Sequence, residues 1–230
     1  MIKYQDDENV LLREGKMTKP FTNSIDFITP KIAADSTIVL QWAKEYISQP
    51  HPDLGREGPI CPFVPPSIKK DLFYVTLHYE VDGSSLDILK YIILSYSDMF
   101  LSYFPTNEPD KIYKTIIAVF PNISDEKSPI LDEMHKEIKD DFVKKGMMIG
   151  QFHKNCPELA ARNPLFKISV SPLPLVAMRY MSIHDILFLN NRKDWFLEYD
   201  KRFGWKYNES KVTEKKYVEL YNDAKEHYLT

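Results

Sequence analysis

The run Met147 to His153 ends on an imidazole, and Asn155, Cys156, Arg162 and Asn163 follow within ten residues. A neutral histidine at the C-terminal end of a strand leaves the sheet, where it can ligate a metal or move protons. Arg162, together with Arg179 further on, offers planar forks that suit a carboxylate. A second segment, LGREGPICPF over residues 54–63, contributes Arg56, Cys61 and Phe63. Cys61 near a positive charge such as Arg56 has the setting of an activated thiolate. It has equally the setting of a small buried residue, because free cysteine is among the most buried types. His153 also has a plain alternative, a hydrogen-bonded structural histidine with the arginines held in ion pairs. His51, in a loop dense in Pro and Gly, is the second candidate histidine. His78 falls on the polar face of a strand, His135 on a helix and His227 in the terminal turn. His184 and Asp185 are neighbours in sequence and do not face one another on a helix.

Familiar signatures are missing: the sequence has no GxGxxG, P-loop, GxSxG, HExxH or EF-hand pattern. The two cysteines, Cys61 and Cys156, form no CxxC pair, which excludes a zinc ribbon or a thioredoxin-type motif. A net charge of −3 argues against a broad phosphate-binding field, so no nucleic-acid partner is expected. The longest apolar stretch, Leu86 to Phe104, is broken by Asp87, Lys90 and Asp98, and no membrane partner is expected. The polar N-terminus lacks a signal-peptide core, which leads to the expectation of a cytosolic protein. The 14 Tyr and 13 Phe fit either an aromatic core or an aromatic-lined pocket.

Residues 1–35 read as an extended N-terminal arm and residues 36–230 as one α+β domain. Asp35 or Ser36 is expected to cap a helix running through Ile47. The segment His51 to Pro66 is a structured loop, since proline lacks the amide donor that a helix or central strand needs. Phe73 to Val81 alternates as a half-buried strand, Asp82-Gly83 turns the chain, and a helix runs from Ser84 or Ser85 to about Phe104. A strand over Ile112 to Phe120 follows. Pro129 then opens a helix that Lys144-Lys145-Gly146 closes, basic charge and glycine both suiting a C-terminus. Met147 to His153 and Leu175 to Met181 are further strands, with Pro157 to Arg162 as a loop or short helix between them. Helices over Trp195 to Phe203 and Val212 to His227 form the tail. The sum is a three- to five-stranded mixed sheet with packed helices.

The segments LGREGPICPF and GQFHKNCPELAARNPLF, the latter leading into SPLPLVAMRYM, resemble a bacterial family catalogued as a domain of unknown function. Its pattern is LGRxGPxCPF and GQFHxxCxxPAxRNPxF, and the likeness spans Gln49 to Leu189. Glu158-Leu159-Ala160 departs from it where a proline is usual, and Ile168-Ser169-Val170 where a more basic stretch is expected. Cys61-Pro62-Phe63, Gly150-Gln151-Phe152-His153 and Ala161-Arg162-Asn163-Pro164 are also similar to segments of the YqcI/YcgG-type haem proteins. Some of those resemble N-oxygenases of amino-acid nitrogen. That second resemblance implies a haem-dependent oxidoreductase with His153 as the proximal iron ligand. Arg162 and Arg179 would hold propionates or a substrate carboxylate, and the loop bearing Arg56, Cys61 and Phe63 would cover the distal side. The alternative is a binding module for a small carboxylate-bearing ligand, recognised by Arg56, Arg162 and Arg179 without redox chemistry. In either case the partner is a small molecule.

Overall fold

A computed structural model of the chain describes residues 10–13, 29–103 and 108–229. Strand β1 (Val10–Arg13) precedes helix α1 (Pro30–Trp42), which runs on through a π-helical turn, Ala43–Ile47. A 3-10 turn at Pro52–Leu54 leads to α2 (Val64–Lys69), β2 (Phe73–Leu77), α3 (Leu86–Tyr103) and β3 (Thr115–Val119). Then come α4 (Ile130–Lys144), β4 (Met147–Phe152), the hairpin β5 (Leu159–Ala160) and β6 (Asn163–Lys167), and β7 (Leu175–Tyr180). Helices α5 (Ile186–Leu189), α6 (Lys193–Asn208) and α7 (Lys215–Leu229) finish the chain. The remaining parts of the expected N-terminal arm lie outside the described residues. No helix among the described residues is long and apolar enough to cross a membrane.

The main sheet has five strands in the order β1-β2-β3-β7-β4. The α3 crossover makes β2 and β3 parallel, and the other pairs are antiparallel, so the fold is α+β with a mixed sheet. Helices α3 and α4 cover one face through Leu89, Ile93, Leu131, Met134 and Ile138. The other face carries α1, its π turn and the segment around Ile60 and Val64. Every residue of β2 and of β3 is therefore buried, as expected of strands sandwiched on both faces. This corrects the half-buried reading of residues 73–81. His78, placed by alternation on a polar face, is 2% exposed, with Nδ1 2.9 Å from Glu80 and Nε2 2.9 Å from the Tyr96 hydroxyl.

Three further corrections follow from local chemistry. Helix α1 begins before Asp35, because Thr29 caps it by accepting from the Ile32 amide and Pro30 occupies the first turn. Asp35 instead accepts from the Tyr79 hydroxyl at 2.7 Å. Pro65 and Pro66 are not loop residues but sit in the first turn of α2, where their missing donors cost nothing. Residues 157–162, expected as a loop or short helix, instead contain strand β5 and the turn of the β5–β6 hairpin, closed at Ala160 opposite Asn163. The helix ending at Lys144-Lys145-Gly146 forms as expected. Gly146 takes φ +72°, a left-handed cap that turns α4 straight into β4. Much of the tyrosine surplus goes to the C-terminal helices, where Tyr199, Tyr217 and Tyr221 are buried and Tyr207 stacks on Tyr221 at 3.8 Å.

Candidate functional site

The two segments singled out in the sequence pack against each other. His51 stacks on Phe166 at 4.3 Å, and Asn163 Nδ2 donates to the Asp53 carbonyl at 2.8 Å. Gly55 adopts φ +75° with its Cα against the Arg162 backbone; a Cβ there would stand 3.0 Å from the Arg162 carbonyl oxygen. Arg56 closes its own loop by donating to the carbonyls of Glu57 and Ile60 at 2.8 and 2.9 Å. Arg162 pairs with Glu214 at 3.0 Å. Arg179 grips Asp185 with both terminal nitrogens, at 2.6 and 2.8 Å, and lies 4.4 Å over the Phe63 ring. Asp185 is fully buried and also accepts from the Ser182 amide. All three guanidiniums thus have internal partners, and the expected free carboxylate clamp is not formed by them. Cys61 is partly exposed and, with Phe63 and Arg179, lines a cavity.

That cavity, about 220 Å³, lies between the sheet and the α1–π-turn layer. Phe73, Ile117 and Ala177 form its floor, and Trp42, Ala43 and Ile47 its roof. It reaches the edge strand β4 at Gly150 and Gln151, where His135 and Lys139 of α4 and Glu158 join the lining. The same four polar residues, His135, Lys139, Gln151 and Glu158, also line an outer recess with Asp132, Arg192 and Trp195. The apolar chamber therefore has a polar mouth. His135 Nε2 lies 3.2 Å from the Ile149 carbonyl, and burial pushes its pKa down to about 4, which keeps the ring neutral. Lys139 Nζ lies 4.3 Å over the Trp195 ring and forms no ion pair among the described residues. Burial lowers its pKa, while Glu158 and Asp185 act to raise it.

His153 stands apart from both cavities. It is 1% exposed, with Nδ1 2.9 Å from Ser128 Oγ and Nε2 3.1 Å from Asp132 Oδ2. Gln151 Nε2 donates to Asp132 Oδ1 at 2.9 Å, and Cys156 Sγ lies 3.8 Å from the same oxygen. Burial raises the Cys156 thiol to about 11. A haem does not fit this arrangement. Both ring nitrogens of His153 face side chains, neither cavity reaches the ring, and the propionate-holding arginines are already paired. The chamber's 220 Å³ is also below the ~300–1,000 Å³ of sites for drug-sized ligands, and the macrocycle is larger than most of those.

Sequence reasoning brought Arg56, Cys61, Phe63, Arg162 and Arg179 into one neighbourhood but missed Asp132, His135, Lys139 and Gln151. Asp132, His135 and Lys139 fall at spacings of three and four on α4, along the flank of its apolar stripe. That flank was legible as one helix face; its position beside the edge strand was not. No curated protein and no solved structure matches the chain. A family model described as a domain of unknown function, DUF6875, matches residues 36–215, which contain both segments, and the chain belongs to that family.

Proposed function

We propose that the protein binds a small amphiphilic carboxylate, with the apolar body in the chamber and the anionic head at Lys139. The observation that carries this is an apolar cavity whose mouth holds an ammonium without an ion-pair partner among the described residues. An ammonium held in a partly dehydrated mouth gains most from an incoming carboxylate, since the pair is poorly screened there. Gln151 and the neutral His135 supply hydrogen-bonding groups around the head. The size of the chamber favours an apolar body of about nine heavy atoms, somewhat larger than the benzene that a ~150 Å³ cavity accepts. This keeps the ligand class read from the sequence and moves its recognition from the arginines to Lys139.

The test is thermal unfolding with a panel of short aliphatic and aromatic acids beside their neutral amides. At a hundredfold excess over Kd a bound acid adds about 2.7 kcal/mol, roughly 5–10 °C in a chain of this size. The amides should shift the melting temperature far less. Lys139→Met should lose the acid response, and Ala177→Leu, which fills the chamber, should lose it as well. Equal shifts from acids and amides, or an undiminished response in Lys139→Met, would sink the proposal. Hemin is the opposing probe: a Soret band abolished by His153→Ala would restore the haem reading.

A further inference from the structure

The side chains around His153 bring an imidazole, a carboxylate and a thiol together in a buried cluster. Ser128 has a single hydroxyl proton, and the Asp125 carbonyl, 2.8 Å away, can only accept it. Ser128 Oγ must then accept from His153 Nδ1–H at 2.9 Å. His153 Nε2 lies 3.1 Å from Asp132 Oδ2, a contact that either a proton on Nε2 or a metal ion held by both residues can fill. Cys156 is fully buried beside the same carboxylate, and the donor atoms of Asp132, His153 and Cys156 all lie within 4.8 Å of one another.

We propose that Asp132, His153 and Cys156 hold a divalent cation of the zinc type, with one coordination position open toward the outer recess. One carboxylate, one imidazole and one thiolate form a ligand set suited to zinc. With bonds of about 2.3 Å to sulfur and about 2.0–2.2 Å to nitrogen and oxygen, tetrahedral ligands stand roughly 3.3–3.6 Å apart. His153 Nε2 stands 3.1 Å from Asp132 Oδ2 and Cys156 Sγ 3.8 Å from Asp132 Oδ1, and one donor atom of each of the three residues lies within 4.8 Å of the others, so modest side-chain adjustment brings them to that spacing. The outer shell is in place as well: Ser128 fixes the tautomer of His153, and Gln151 orients Asp132. Asp132 is the one of the three that lines the outer recess, and the proposed open position lies on its side of the cluster. On binding, the Cys156 thiol gives its proton to the buffer as the sulfur–metal bond forms.

Chelator-stripped protein is titrated with Co²⁺ and then Zn²⁺, with metal content measured after gel filtration. The expected result is one retained equivalent and a near-ultraviolet thiolate-to-cobalt band that Zn²⁺ abolishes. Cys156→Ser should remove the band and weaken retention at least tenfold. Cys61→Ser, which changes the other cysteine, should keep both. Asp132→Asn, at a partly exposed position, should weaken retention at least tenfold with an unchanged circular dichroism spectrum; it decides alone if Cys156→Ser does not fold. Folded wild-type protein without the band, or a band lost with Cys61 rather than Cys156, would overturn the site, leaving a proton on Nε2 in place of the metal. Neither readout depends on the carboxylate ligand.

Discussion

Where the 51–63 loop meets the β5–β6 hairpin and the C-terminal helices, every arginine has a partner inside the protein. Along the seam between α4 and β4, Lys139 lies over the Trp195 ring and has no ion-pair partner among the described residues, and Asp132, His153 and Cys156 crowd their donor atoms together. The first region has the residue types that look most like a binding site in sequence, and its charges are spent on holding the chain together. The second region is plain in sequence, yet Lys139 borders both the chamber and the recess, and Asp132 the recess. Residue type therefore identified groups capable of chemistry, while the state of their partners separates a structural junction from the seam where we propose that a ligand binds.

The sharpest way to break this comparison is at Arg179. If its pair with Asp185 is structural, Arg179→Met leaves a fully buried carboxylate without its counter-charge. Removing one partner of such a pair costs about 3–5 kcal/mol. Urea unfolding should show that loss, whereas Lys139→Met should change stability little, since no ion pair is broken. A stable Arg179→Met protein that instead lost acid binding would move the recognition site back to the arginines.

The next effect belongs to the α4–β4 seam and depends on pH. His135 has a pKa of about 4 when folded, against an ordinary value near 6.5 in the unfolded chain. Between those values the unfolded chain binds the proton and the folded one does not. Stability is thus fully present above about pH 6.5 and is lost progressively as pH falls toward 4. The lowering is worth at most about 3 kcal/mol. His135→Gln, which keeps a donor for the Ile149 carbonyl, should flatten that part of the stability profile. An unchanged slope in the variant would assign the acid sensitivity to other groups.

How much of this was legible in the sequence depended on whether the cause was local. Pro129 and the Lys144-Lys145-Gly146 cap act through neighbouring residues, and those boundaries fell where expected, whereas β2 stops at Leu77, ahead of the expected Asp82-Gly83 turn. Thr29 also caps locally, but Asp35 and Ser36 carried the same chemistry and drew the start of α1 too far along the chain. The burial of both faces of β2 is set by helices distant in sequence, so its alternating pattern was misleading. The approach of Asp132 to His153 spans 21 positions and depends on α4 and β4 meeting at Gly146. No spacing rule shows that contact in a single sequence.

The smallest expected effect tests the other half of the comparison, at Arg162. Its side chain reaches Glu214, which is about half exposed, and pairs of that kind contribute about 0–1 kcal/mol. What fixes the loop on the hairpin is different: the close backbone approach at Gly55, the Asn163 amide on the Asp53 carbonyl and the stack of His51 on Phe166. Arg162→Met keeps all three, because Gly55 meets the backbone and Cβ of residue 162 and not its guanidinium. The variant should therefore unfold within about 1 kcal/mol of wild type and bind acids as before. Gly55→Ala forces both a left-handed alanine and a 3.0 Å contact with a carbonyl oxygen, and should destabilise the protein more than Arg162→Met does. If the order is reversed, the Arg162–Glu214 pair and not the backbone approach at Gly55 holds the loop on the hairpin.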